Sequence, residues 1–158
     1  MIRRLMKLAH EVAAMGVVGG FAACLLIIAT APTDSLEAYA ASRQVIADLC
    51  QWLLVPSLAV VIISGLLCIA INEAYKDAGW AWIKALLGIS MFEGSLLTVI
   101  ASGRKAAQLA HEAVAGAGDP ARLAEILRTE WGGLWILLAV AVANIVLAIW
   151  RPRLSRHA

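Results

Sequence analysis

Four stretches of this chain, residues 8–30, 52–71, 80–101 and 131–150, are apolar over about the twenty residues that a helix needs to cross a hydrocarbon core of about 30 Å. Lipid offers no water to an unpaired backbone group, so segments of this kind fold as helices that satisfy their own main chain. Composition agrees: of 158 residues 62% are hydrophobic and only 15% charged, and the mean hydropathy is +0.83. The expected fold is all-α, a polytopic membrane four-helix antiparallel bundle forming a single domain over residues 1–158.

The ends of the spans carry their own signals. The first apolar run is longer than the roughly 7–15 residues of a signal peptide and contains His10 and Glu11, so it reads as a true span. Ala9, Ala13, Gly16, Gly20 and Ala23 recur at four- and three-residue steps along it, giving a smooth face for close helix contact. Asp34 with Glu37 three residues on predicts a capping box and a second helix that starts well before lipid. Pro56 removes an amide donor inside that helix and predicts a kink. The third helix should run on through Arg104, Lys105 and His111 to about residue 115. Gly116, Asp119 and Pro120 then supply a helix stop, an N-cap and a first helical residue. Helices two to four would therefore project beyond lipid by roughly 20 Å at about 1.5 Å per residue, as helical extensions on the periplasmic side.

Basic residues set the orientation. Arg3, Arg4, Lys7, Lys76, Arg151, Arg153 and Arg156 fall on the side of the chain ends, against Arg43, Arg104, Lys105, Arg122 and Arg128 on the other, which predicts cytoplasmic N and C termini in a bacterial inner membrane. All six tryptophans, Trp52, Trp80, Trp82, Trp131, Trp135 and Trp150, lie near a predicted membrane edge, where indole is favoured. The net charge of +2 and the absence of an aromatic-interleaved basic patch argue against nucleic acid. Cys24, Cys50 and Cys68 are widely spaced and read as small hydrophobes.

Polar residues at membrane depth are costly and mark candidate sites. Counted inward from the cytoplasmic edge, His10 and Glu11, Ser64 and Cys68, Lys84 and Gly88, and Asn144 fall at one level on four helices. They define a candidate pocket in which His10 can ligate a haem iron, with Lys84, Met6 or Met91 as a sixth ligand, or carry a proton with Glu11. A zinc or copper site needs three or four N or S ligands, more than this level offers. Glu93 is nine residues from Lys84 and so points to nearly the opposite side of helix three. If the Lys84, Gly88, Met91, Ser95 and Thr98 face is inward, Glu93, with Ile89 and Leu97, faces lipid and calls for cover by a second copy or a partner membrane subunit.

Lys7-Leu8-Ala9-His10 with Gly16 and Gly19-Gly20, Pro56 with Ser64-Gly65-Leu66, Trp80/Trp82 before the third span and a Trp-initiated fourth span ending in Arg-Pro resemble a family of bacterial four-helix membrane proteins of unknown function. That family is distantly similar to CopD-like copper-resistance proteins and to HemJ-type protoporphyrinogen oxidases, whose first-helix histidine and W-x-x-x-K spacing match His10, Trp80 and Lys84. Ala31-Pro32-Thr33 departs from the HemJ Pro-Arg segment, so the resemblance implies a porphyrin or haem pocket, with haem b as candidate cofactor, and not the oxidase reaction. No enzymatic reaction is assigned. The expected function is a membrane protein with an intramembrane polar pocket for haem, porphyrin or another small ligand in a redox or stress-related role. The alternatives are an accessory or assembly subunit of a membrane complex, and a proton or ion conductor using Glu11 and Glu93.

Overall fold

The computed structural model describes the backbone of residues 2–150 and the side chains of residues 4–150; Arg151, Arg153 and Arg156 and the side chain of Arg3, used above, lie outside the described residues. Among the described residues the chain is all-helical. Four helices are long and apolar enough to cross a membrane, which marks a multi-pass membrane protein. The first helix is Ile2–Thr30, the second Leu36–Ile71, the third Gly79–Val114 and the fourth Pro120–Trp150, with a short helical turn Glu73–Lys76 between the second and third.

Local chemistry explains the boundaries. The second helix begins one residue later than the Asp34 capping box predicts: Ser35 is extended (φ −137°, ψ 120°) and its hydroxyl accepts from the Ala38 amide at 3.3 Å. Glu37 then stands one position too early in the helix to reach back to the cap, so serine alone caps it. Ahead of Pro56 the helix widens into a π turn, Cys50–Leu54, where the missing proline amide leaves the regular ladder short of a donor. The third helix stops at Gly116, whose φ of +79° suits glycine. There Gly116 N–H donates to the Ala113 carbonyl and Ala117 N–H to that of Glu112, closing the last carbonyls as in a Schellman motif. Asp119 Oδ1 accepts from Ala121 and Arg122 amides at 3.1 Å each and starts the fourth helix at Pro120.

Packing follows the small-residue face of the first helix. A Cβ added at Gly20 would lie 2.5 Å from Leu54 Cδ2, and one at Gly16 2.5 Å from Ser57 Oγ, so these glycines let the first and second helices close. Gly133 does the same for the fourth helix against Thr98 of the third. The contacts enclose a buried apolar cluster that includes Val17, Phe21, Leu54, Leu58, Met91 and Leu137. Outside, Trp52, Leu97, Met15 and Ile149 are largely exposed, an apolar surface suited to lipid.

One feature of the packing is polar. Arg43 (1% exposed) and Glu130 (0%) form an ion pair, Nη2 to Oε2, that ties the second helix to the fourth beside Gly103 of the third. Arg43 Nε and Nη1 and Glu130 Oε1 have no further partner. Removing one member strands the other charge, so Glu130→Ala should destabilise by about 3–5 kcal/mol, whereas Arg43→Met with Glu130→Leu should be near neutral. Thermal unfolding in detergent reads this as a midpoint lowered by roughly 10 °C in the single variant and restored in the double.

Candidate functional site

At the level of the chain ends the four helices part and leave a cavity of about 890 Å³. His10 and Glu11 reach it from the first helix, Cys68 from the second, Lys84 and Gly88 from the third and Asn144 from the fourth. Of the sequence-predicted residues these six, His10, Glu11, Cys68, Lys84, Gly88 and Asn144, line one cavity, and Ser64 joins them by its bond to His10. A Cβ at Gly88 would meet nothing within 4 Å, so the third helix presents bare backbone there. Tyr75 and Trp80, in edge-to-face contact at 5.5 Å, form part of the wall beside the Glu73–Lys76 turn. Trp82 is fastened to that turn by Nε1–H donating to the Lys76 carbonyl at 2.9 Å.

Hydrogen-bond counting assigns the His10 tautomer. Ser64 Oγ donates its single proton to the carbonyls of its own helix at Val60 and Val61. Its 2.8 Å bond to His10 Nδ1 must therefore be accepted from the ring, which places the proton on Nδ1. The neutral imidazole is left with a lone pair on Nε2. Gly65 makes this possible, since His10 Cε1 lies only 3.4 Å from where a Cβ at Gly65 would stand.

Asn144 is the second polar group of consequence. It is 8% exposed, and its Nδ2 donates to the Lys84 backbone carbonyl at 3.5 Å while Oδ1 has no hydrogen-bond partner among the described residues. His10, Lys84 and Asn144 also line a smaller recess of about 50 Å³ that shares walls with the cavity and is backed by Met91 and Val17. Glu11 differs in setting: it pairs with Lys7 at 3.7 Å and both are more than half exposed, a rim interaction worth little in stability. Glu93 lies away from the cavity, exposed on the exterior with Leu97, and makes no hydrogen bond or ion pair among the described residues, whereas Ile89, one turn earlier, stands at the cavity wall. The inward face of the third helix is the one carrying Gly88, Met91 and Ser95.

The residues that the sequence reading missed are Arg43 and Glu130. Arg43 counts there only among the basic residues of the side opposite the termini, yet it falls in phase with Ala40, Ile46, Ala47 and Cys50, all buried. Glu130 likewise follows the step to Gly133, Leu134 and Leu137. Helical phase was the available signal in both cases. Among the described residues no group of three or more His, Cys, Asp or Glu side chains is close enough to hold a metal ion.

No protein-family model matches the chain, and no curated protein or solved structure does either.

The tautomer gives a direct check. Nitrogen NMR of the protein labelled at histidine should show His10 protonated on Nδ1, and Ser64→Ala should shift it toward the Nε2–H form. An Nε2–H signal in the unaltered protein would contradict the assignment.

Proposed function

We propose that this chain is an inner-membrane protein, an antiparallel four-helix bundle with cytoplasmic termini, that binds a lipid-soluble small molecule in the cavity around His10, Lys84 and Asn144. The observation that carries the reading is a cavity of about 890 Å³, within the roughly 300–1,000 Å³ of small-molecule and cofactor sites, with His10, oriented by its bond to Ser64, on its wall.

Haem b fits this donor set. His10 Nε2 would hold the iron with Ser64 as its orienting partner, Lys84 or Met6 standing on the same wall, and the group would supply one-electron redox chemistry. No enzymatic reaction follows from the residues present. Ion conduction is disfavoured by the packed apolar cluster of Val17, Phe21, Leu54 and Leu58, which offers a charge no polar partner.

The test is extraction of the purified protein, with mass spectrometry and an absorption spectrum of oxidised and reduced samples. The expected result is a lipophile other than a phospholipid, lost in Gly88→Phe, which fills the cavity where a side chain meets no protein atom within 4 Å. A Soret band that disappears in His10→Ala would identify it as haem b. Equal yields of every lipophile from both proteins would contradict the reading.

A second reading concerns the exterior and is favoured by Glu93. An exposed carboxylate at mid-membrane depth is expensive, and a two-fold axis along the membrane normal would bring Glu93 of two copies together at one depth. We therefore propose a homodimer through Ile89, Glu93 and Leu97, with a different partner subunit as the competing result. Single cysteines at these positions, in a cysteine-free background, should give covalent dimers on oxidation, while cysteines on the Gly88 face should not.

A further inference from the structure

The wall of the cavity changes character along its depth. Its polar side chains stand toward the end of the bundle where the first helix begins: Lys7, His10 and Glu11 on that helix, Asn72 and Tyr75 at the short turn, Lys84 on the third helix and Asn144 on the fourth. Farther in, the first helix contributes Met15 and Val18, the second Val61 and Ile62, and the third Gly88 and Ile89, all apolar. From the level of His10 to that of Val18 the wall runs for about 12 Å at 1.5 Å per residue. Such a wall fits a ligand built the same way, a polar head on an apolar tail.

Charge and hydrogen bonding select the head. Among the described lining residues there are two ammonium groups, Lys7 and Lys84, and one carboxylate, Glu11, so with histidine counted as neutral the wall carries a formal charge of +1. The third helix adds to this: it starts at Gly79 behind Ala78, an N-cap without a side-chain acceptor, and brings its positive end to the same level, with Trp80 and Ala81 on the wall. Asn144, more than nine-tenths buried, sets an acceptor there as well, since its Oδ1 has no hydrogen-bond partner among the described residues. The wall thus offers donors and an acceptor together. A carboxyl group suits both, because its oxygens accept from an ammonium and its acid form carries a proton for an acceptor, a proton that the phosphodiester of a phospholipid lacks.

We infer that the cavity takes a fatty acid, with its carboxyl head at the level of Lys84 and Asn144 and its single tail along Val18, Ile62 and Gly88. The inference rests on the cavity reading above and names its ligand class. Only binding is involved, and no bond is made or broken.

The experiment is equilibrium binding of tritiated decanoic acid to the full-length protein in detergent, with unlabelled decanoic acid, methyl decanoate and phosphatidylglycerol as competitors. The free acid should bind at least about tenfold more tightly than its methyl ester, the scale of one charge-assisted hydrogen bond. Lys84→Met should lower the affinity for the acid to that for the ester and leave the ester unchanged; the Lys84 carbonyl that accepts from Asn144 stays in place in this variant. Lys84→Arg, which keeps the cation, should retain the preference, and Gly88→Phe should abolish binding of acid and ester alike. Equal affinities for acid and ester in the unaltered protein, an unchanged preference in Lys84→Met, or displacement by phosphatidylglycerol as effective as by decanoic acid would overturn the inference. Binding of haem b or another lipophile, sensitive to Gly88→Phe, with no binding of decanoic acid, would overturn it too while leaving the cavity reading in place. Failure of every lipophile to depend on Gly88→Phe would overturn both.

Discussion

The Arg43–Glu130 ion pair is the interaction on which the arrangement of helices depends. Two charges withdrawn from water are tolerated only together, so the second and fourth helices cannot slide past one another without stranding one of them. A buried pair of this kind adds little net stability and contributes chiefly register. With register fixed there, Gly103 can lie against Glu130 and Cys50, and the packed layer of Phe21, Cys24, Leu54 and Leu134 follows. At the other level the first helix is tied to the second by the His10–Ser64 bond and the fourth to the third by Asn144 donating to the Lys84 carbonyl. Bare backbone at Gly88 and the ring of Trp80 leave a cavity where His10, Lys84 and Asn144 meet.

This division gives the molecule a closed half and an open half. In the closed half, small residues bring helices to contact distances and the hydroxyls of Ser95 and Thr98 turn back on their own carbonyls. In the open half the same habit at Ser64 has a different result. By donating to its own helix, Ser64 forces His10 to donate in turn, and the unprotonated ring nitrogen is left over. A structural arrangement that satisfies one hydroxyl thus also orients the ring on the cavity wall.

Much of the fold was legible in the sequence because the bilayer demands long uninterrupted apolar runs, and those runs are plain. The turn at Gly116 and the start at Pro120 were legible for an equally local reason, the backbone conformations that glycine, aspartate and proline favour. The Asp34 cap was not, because Asp34 and Ser35 are both good caps and only the path of the chain selects Ser35. At the candidate site, the shared depth of His10, Lys84 and Asn144 could be counted along the spans, and their common cavity is where those depths meet. Depth says nothing about which atoms remain unpaired. The proton on His10 and the open acceptor on Asn144 depend on Val60, Gly65 and the Lys84 carbonyl, contacts between helices that no spacing rule lists. Arg43 and Glu130 show the converse case: each lies in phase with buried neighbours, yet Arg43 entered only a count of basic residues and Glu130 entered no reading at all.

The central claim is that the helices stay apart at the level of Gly88 and leave room for a ligand. It is tested most directly by a nitroxide attached at Gly88→Cys, in an otherwise cysteine-free protein reconstituted in lipid and stripped of small molecules. The account predicts a mobile label that is accessible to dissolved oxygen and becomes restricted when a ligand is added. An immobilised and inaccessible label in the ligand-free protein would mean that the bundle closes at this level, and would contradict the account.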